Sequence, residues 1–162
     1  MRRLASLLVA GFALAGCSDP YADPDAGVLS PAPRPVGAIG SATPTARAFA
    51  ERWVNWDWRS ASSQQRALAA LATGRLAADL RANAASARID ASLARDKPSV
   101  RGAVTIVRVS ARGPRASGLV VTRERNYTAG RPDLGGQHYR VYAITLTRRG
   151  AQWEVSAWQP QP

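Results

Sequence analysis

The run Val104-Thr105-Ile106-Val107-Arg108-Val109 decides the fold class. Its side chains alternate with a period of two, which indicates a β-strand, and the Arg-Gly-Pro turn at residues 112–114 ends that strand. Working towards the C-terminus, the same period predicts three more strands, over residues 117–127, 138–147 and 152–158. A glycine-rich loop at 130–136 and a short turn at 148–150 separate them.

Upstream of the strands, the period changes to that of a helix. Phe49, Trp53 and Trp56 fall at i, i+4 and i+7, which predicts a helix over residues 45–59 with Thr43 or Thr45 as its cap. A tryptophan stripe at this spacing is typical of a core. The alternative is that Trp56 or Trp58 lines a ligand cleft, because indole combines a large apolar body with one N–H donor.

The segment after that helix predicts further helices. Residues 62–65, Ser-Ser-Gln-Gln, fit a capping box, and a leucine-rich ladder follows over residues 68–80. Gly74 interrupts the ladder, so one long helix and two shorter helices are both compatible with it. Ile89 and Leu93 predict another helix within 83–95. Two or three helices on a curved four-stranded antiparallel sheet form an α+β cone or roll.

The N-terminus carries a different signal. Two arginines and an apolar run of about eleven residues, too short to span a bilayer, precede Leu14-Ala15-Gly16-Cys17. This pattern resembles bacterial lipoprotein signal peptides, in which the cysteine is acylated and becomes the first mature residue. Cys17 is the only cysteine, so no disulfide within the chain can use it. The alternative is ordinary secretory cleavage after Ala15, which would leave an unmodified N-terminus.

These signals divide the chain into three parts. Residues 1–16 are expected to be the signal peptide, 17–44 a proline-rich disordered tether, and 45–162 a single folded domain. From residue 41 onward, 19 basic residues face 8 acidic ones, which accounts for the net charge of +11. A domain of this charge beside a membrane is attracted to anionic lipid, at about 1 kcal/mol per well-placed basic side chain.

The order of helices and then a strand meander resembles the nuclear transport factor two-like superfamily, also called the SnoaL-like or cystatin-like cone. The residues that carry the resemblance are 49–56, 68–73 and the closing Trp153-Glu154-Val155. Within it, the likeness is to extracytoplasmic domains of membrane-anchored accessory proteins, including scaffold proteins of conjugation and type IV secretion machines. The resemblance implies a partner-binding domain, with a lipid anchor replacing the usual transmembrane helix.

Catalytic candidates are few. Some enzymes in the resembled superfamily place a carboxylate or histidine in the cone, and His138, Asp57 and Glu124 are the residues to consider. We interpret His138 as solvated at a strand end, Asp57 as an exposed helix-end carboxylate pairing with Arg52 or Arg59, and Glu124 as part of a cross-strand ion pair. One histidine and one acylated cysteine do not make a metal site. We therefore expect no enzyme activity, no catalytic residue, no metal and no cofactor.

Two surfaces are candidates for binding. An aromatic pocket would be walled by Trp53, Trp56, Tyr142, Trp153 and Trp158, although the last two fall on opposite faces of a regular strand. Arginines seven residues apart could form a basic surface on helical faces for anionic lipid, an envelope polyanion or an acidic partner; they are Arg52, Arg59, Arg66, Arg81, Arg88 and Arg95. The alternative is that they form a solvated outer face.

The sequence thus predicts an exported, lipid-anchored, non-enzymatic domain on the extracytoplasmic face of the cell membrane. Its expected role is to bind an unidentified protein partner or a second copy of itself as a homodimer. The alternative is a cone that binds a small ligand or, less in keeping with the residues, acts as an isomerase or cyclase. Nucleic acid is not an expected partner, because no basic ribbon interleaved with aromatic residues is present.

Overall fold

Four helices precede the four long strands of an antiparallel sheet in the computed structural model, which describes residues 41–162. The predicted signal peptide, the tether up to residue 40 and Cys17 lie outside the described residues. The helices are α1 (Ala42–Trp53), α2 (Ala61–Ala69), α3 (Gly74–Ile89) and α4 (Ala91–Asp96). The strands are β1 (Trp56–Asp57), β2 (Pro98–Arg112), β3 (Arg115–Thr128), β4 (Arg131–Arg149) and β5 (Gln152–Pro160).

Helix α1 begins earlier and ends earlier than the tryptophan spacing predicts. The Ser41 hydroxyl accepts a hydrogen bond from the Thr43 backbone N–H and caps the helix, so neither predicted threonine is the cap. The helix ends at Trp53, and the predicted extension to residue 59 is wrong. Beyond it, Trp56 pairs with Val100 of β2 and Asp57 pairs with Ser99. Trp56 and Asp57 therefore belong to the sheet, although the helical period alone predicts that they belong to α1.

The leucine-rich segment forms two helices. Helix α2 ends at Ala69, and Gly74 begins α3 with φ of +60°, a conformation that glycine adopts without steric cost. The predicted capping box is wrong, since Ser62 lies inside α2 and its hydroxyl donates to the carbonyl of Ala84 on α3. A second break follows Ile89, where the Asp90 side chain caps α4. The predicted helical pair of Ile89 and Leu93 is therefore divided between two helices.

The sheet is a meander with strand order β1-β2-β3-β4-β5 and antiparallel pairing throughout. The α+β class is confirmed, with four helices and five strands where two or three helices and four strands were predicted. The four long strands and the turn at 112–114 are confirmed. The predicted loop at 130–136 is wrong in part, because Arg131 and Pro132 already belong to β4 and pair with Thr128 and Tyr127 of β3. Residues 133–136 form an irregularity in that register.

The core lies between the helices and the inner face of the sheet. Its largest wholly buried side chains include Phe49 of α1, Leu68 of α2, and Ile144 and Leu146 of β4. On β3 the buried residues alternate, with Val120, Thr122 and Glu124 facing inward. No helix within residues 41–162 is both long enough and apolar enough to cross a bilayer.

Candidate functional site

A cavity of about 500 Å³ lies beside the core, between the helices and the inner face of the sheet. Helices α2 and α3 form one wall, through residues such as Gln64, Gln65 and Asn83. The opposite wall comes from the sheet. It is contributed by Val100 of β2, Glu124 and Asn126 of β3, and Arg140 and Tyr142 of β4. Trp53 at the end of α1, Trp56 in β1, and Asp90 and Leu93 near the start of α4 also line the cavity.

The aromatic wall is held by ring packing. The ring centroids of Trp53 and Tyr142 are 6.4 Å apart in an edge-to-face arrangement. Behind the wall, Trp158 stacks on Tyr142 with a centroid distance of 4.4 Å and an interplanar angle of 15°. Phe49 in turn contacts both Trp53 and Trp158. Such ring pairs favour one mutual geometry, so the lining rings are fixed by the core behind them.

Glu124 is the polar centre of this wall. Its residue is only 5% exposed, yet it lines the cavity. Its Oε1 accepts hydrogen bonds from the Thr122 hydroxyl at 2.5 Å and the Tyr142 hydroxyl at 3.0 Å. The Oε2 atom lies 3.7 Å from Nε of Arg140. A buried carboxylate needs such partners, because an unpaired charge in an apolar interior is very costly.

The environment of Tyr142 changes the pKa of its phenol. Burial, and next the negative charge of Glu124, raise the pKa of the Tyr142 phenol from 10 to about 12. At neutral pH the phenol therefore stays protonated and donates to the carboxylate. The pair joins a phenol donor to a carboxylate acceptor at 3.0 Å.

The cavity wall also carries a polar group with spare bonding capacity. The Oε1 atom of Gln65 is buried and has no hydrogen-bond partner among the described residues. A buried acceptor without a donor costs free energy. A bound molecule with an N–H or O–H group at this point would satisfy it.

Three of the five predicted pocket residues line this cavity, namely Trp53, Trp56 and Tyr142. Trp158 and Trp153 are not lining residues. Trp158 supports Tyr142 from the core, and Trp153 lies elsewhere, with the Arg148 guanidinium 6.0 Å from its ring centroid. Trp58, the other tryptophan considered, is covered by the guanidinium of Arg59 at 4.4 Å.

Trp153 and Trp158 both face inward, contrary to the parity of a regular strand. Each is 8% exposed. The pairing of β4 with β5 shifts at one point, where Thr145 pairs with Ala157 and Leu146 pairs with Val155. Ser156 is therefore an extra residue, a β-bulge that restores the inward orientation of Trp158.

The predicted basic surface does not form as two helical faces. Arg52 lies on α1, Arg59 in the turn before α2, and Arg66 on α2. The second series is split at Asp90, since Arg81 and Arg88 lie on α3 whereas Arg95 lies on α4 and pairs with Asp96 at 2.9 Å. All six side chains are exposed. The heptad spacing fails because turns interrupt each helix.

The remaining candidates also differ from prediction. The Asp57 carboxylate accepts hydrogen bonds from the Arg59 and Ser60 backbone N–H groups, and its ion-pair partner is Arg101 at 3.5 Å, not Arg52 or Arg59. His138 pairs in register with Glu124 and is only half-exposed, with Nε2 buried and without a hydrogen-bond partner among the described residues. Within residues 41–162, no three potential metal ligands cluster.

Glu124 is the site residue that the sequence analysis misjudged. The predicted ion pair exists, through Arg140, but the carboxylate is buried in the cavity wall. The signal was present in the strand period. The alternation of β3 puts Glu124 on the face opposite Arg123 and Arg125, together with Val120 and Thr122.

Comparison with solved structures places this fold among known ones. The periplasmic domain of DotI matches with a TM-score of 0.53 and 17% identity, over 74% of this chain and 92% of that domain. An NTF2-like protein with a cystatin-like fold from Novosphingobium aromaticivorans matches with a TM-score of 0.47 and 18% identity, over 72% and 79% of the two chains. No protein-family model matches the chain, and no curated protein matches it. At 17% identity, the likeness to DotI is one of fold.

Proposed function

We propose that this protein is an exported, lipid-anchored, non-enzymatic binding protein whose cavity holds a small amphipathic ligand. The observation that carries the proposal is a buried carboxylate, Glu124, in the wall of a cavity lined by Trp53, Trp56 and Tyr142. Ligand sites are typically concave and largely apolar, with a few convergent polar groups. A volume of about 500 Å³ falls in the range of small-molecule pockets.

The partners of Glu124 favour a positioning role for the carboxylate. Oε1 of Glu124 accepts two hydroxyl hydrogen bonds, and Oε2 lies 3.7 Å from Nε of Arg140. With these partners, Glu124 is suited to holding the phenol of Tyr142 and the guanidinium of Arg140 in place. Those two groups then present a fixed polar edge to the cavity.

The lining specifies the chemistry of the ligand. Trp53 and Trp56 offer indole surfaces to a flat or aliphatic body. The unpaired Oε1 of Gln65 favours an N–H or O–H donor on that body, and Arg140 favours an acceptor at the opposite wall. A neutral or weakly anionic molecule of this kind leaves no buried charge unpaired.

The extracytoplasmic location rests on two supports. The sequence up to Cys17 has the pattern of a lipoprotein signal peptide. The fold is similar to that of a domain described as periplasmic, the one from DotI. The alternative is that the anchored domain binds a protein partner or a second copy of itself. Identifying what co-purifies with the chain distinguishes this alternative from ligand binding in the cavity.

The test begins with the full chain purified from membranes and with its Cys17→Ser variant. Intact mass should show a diacylglyceryl addition that the variant lacks. Mass spectrometry of the intact complex under native conditions should then show a bound small molecule. Filling the cavity with Ala87→Trp should abolish that bound mass, because Ala87 lines the cavity on α3.

Ala85→Trp is the matched control, since Ala85 is exposed on the same helix and does not line the cavity. It should retain the bound mass. Equal retention by both variants would refute the cavity as the binding site. A co-purifying protein or a dimer, with no small molecule, would favour the scaffold alternative. An unmodified Cys17 would refute the anchor and leave the cavity proposal standing.

A further inference from the structure

The outer face of the sheet carries a cluster of arginines that is separate from the cavity. Strand register places Arg101 of β2 directly opposite Arg125 of β3. One row further along the outer face, Arg123 of β3 lies opposite Tyr139 of β4. The three arginines line a shallow depression of about 310 Å³ together with Tyr127 and Gln137. We call this group of three the arginine cluster.

The cluster has little compensating negative charge. Asp57 lies 3.5 Å from Arg101, while Glu154 pairs with Arg149 at the opposite end of the sheet. Asp133 accepts a hydrogen bond from Thr128 near the hairpin tip, and Glu124 faces the core. Like charges directly opposite each other destabilise a sheet. An external anion beside the cluster would relieve that repulsion.

One donor in the cluster lacks an acceptor. The Nε atom of Arg125 is buried and has no hydrogen-bond partner among the described residues. Leaving a buried guanidinium N–H unpaired is costly, and phosphate oxygens are preferred acceptors for arginine. The depression therefore combines positive charge with a guanidinium N–H that has no acceptor among the described residues.

Apolar side chains surround the arginine cluster. Tyr139 is 67% exposed, and Ile106 and Leu119 are each 47% exposed on the same outer face. Leu134 is wholly exposed near the tip of the β3–β4 hairpin, beyond the row of Arg125. Arginines beside exposed tyrosine and leucine suit the boundary between phosphate head groups and acyl chains.

We propose that the outer face of the sheet docks on a bilayer that contains anionic phospholipid. The arginine cluster contacts lipid phosphates, while Tyr139, Ile106 and Leu134 enter the head-group region. A second copy fits this face poorly, because two copies would bring six arginines together. The docking rests on the proposed location at a membrane. It is independent of the ligand cavity, which opens on the other face.

The experiment uses the mature full chain, residues 17–162, with Cys17→Ser, so that no acyl chain can hold the protein on vesicles. Binding is measured by co-sedimentation with phosphatidylcholine vesicles, with and without a quarter of phosphatidylglycerol. We expect binding only to the anionic vesicles, with strong weakening in 0.5 M NaCl. Each basic side chain near such a surface contributes about a fivefold factor, so replacing all three cluster arginines by glutamine should weaken binding about a hundredfold.

The matched control replaces Arg66, Arg81 and Arg88 by glutamine, which removes the same charge from the helices. It should weaken binding far less. Equal weakening by the two triple variants would overturn the proposal in favour of unoriented attraction by net charge. Thermal melting of both triple variants checks that they are folded. Tyr139→Ser tests the apolar contribution and should weaken binding several-fold with all charges retained.

Two further outcomes would also overturn the docking. If inorganic phosphate binds the depression while anionic vesicles do not, the site takes a soluble anion. If the chain is a dimer that the cluster variant dissociates, this face is an interface between copies. The mass of the Cys17 modification is measured separately. Loss of the anchor and loss of the docking surface are therefore distinguishable results.

Discussion

The Tyr142 hydroxyl donates a hydrogen bond to Oε1 of Glu124 at 3.0 Å, and this pair joins the core to the cavity wall. Tyr142 stacks on Trp158 on one side and lines the cavity on the other. Glu124 is reached in turn by Arg140, whose side chain is half exposed. The polar edge of the cavity therefore has the rigidity of the aromatic core behind it.

Tyr142 should ionise at a pH well above the usual pKa of a tyrosine. Burial, then the charge of Glu124, raise its pKa to about 12. In a spectroscopic titration at 295 nm, the component near pH 12 should disappear in Tyr142→Phe and shift to lower pH in Glu124→Gln. In Glu124→Gln the midpoint of this component should stay above pH 10, because the Tyr142 phenol is still buried. Since the folded-state pKa is raised, the contribution of the protonated Tyr142 phenol to the free energy of unfolding is fully present below pH 10. It is lost as the pH rises from 10 to 12.

The energy of this hydrogen bond is measurable by a double-mutant cycle. We expect a coupling energy of about 1–3 kcal/mol between Tyr142→Phe and Glu124→Gln, as for hydrogen bonds to charged groups. Urea unfolding of the two single variants and the double variant supplies the three differences. The control pairs Glu124→Gln with Tyr139→Phe. Tyr139 is exposed on the outer face, so these two changes should be additive.

Much of the fold follows from the sequence because its local patterns agree with the final structure. The long strands of the β2–β5 meander were predicted from a period of two, and that period and the turn at 112–114 are both found in the sheet. The ends of the helices were harder to predict. Trp56 fits the helical spacing of Phe49 and Trp53, but its backbone hydrogen bonds go to β2. Only the tertiary pairing partner decides between the two states.

The candidate site was predictable in part. The inward face of β3 is readable from its alternation, so Glu124 could have been placed in the cavity. The orientation of Trp158 could not, because a bulge at Ser156 has no marker in the sequence. Likewise, the spacing of seven residues between Arg52, Arg59 and Arg66 would place them on one face only if a single helix ran through all three. Helix α1 ends at Trp53, so it does not. The arginine cluster could not be predicted from local sequence patterns, because only the register of β2 and β3 places Arg101 opposite Arg125.

Asp57 should make stability sensitive to acid. The Ser60 backbone N–H, with smaller contributions from Arg59 and Arg101, lowers the pKa of this carboxyl. Because the folded-state pKa lies below the unfolded value of about 3.9, the stabilisation is complete above pH 4 and is lost as pH falls. Asp57→Asn should therefore lose less stability between pH 7 and pH 3 than the native chain. Urea unfolding at both pH values measures this, with Asp79→Asn as the exposed control.

Gly118 lies where β2 and β3 approach too closely for a side chain. A Cβ atom at this position would be 1.9 Å from the Arg108 carbonyl oxygen and 2.7 Å from Cα of Val109. Gly118→Ala should lower the free energy of unfolding by about 2 kcal/mol or more, because backbone must move. Gly135→Ala is the control, since nothing lies within 4 Å of its added Cβ. An equal, small effect of both changes would contradict the close approach.

The bulge at Ser156 makes an unusual prediction about single-residue deletions in β5. Removing Ser156 leaves Val155 paired with Leu146 and Ala157 paired with Thr145, so Trp158 still faces inward. Removing Glu154 keeps the bulge but turns Trp153 to the outer face. Exposing a buried tryptophan costs about 3–5 kcal/mol by analogy with truncation in a core. Denaturant midpoints should therefore show a mild effect for the Ser156 deletion and a severe one for the Glu154 deletion. The reverse order would mean that the bulge itself, rather than the inward orientation of the two tryptophans, stabilises this edge of the sheet.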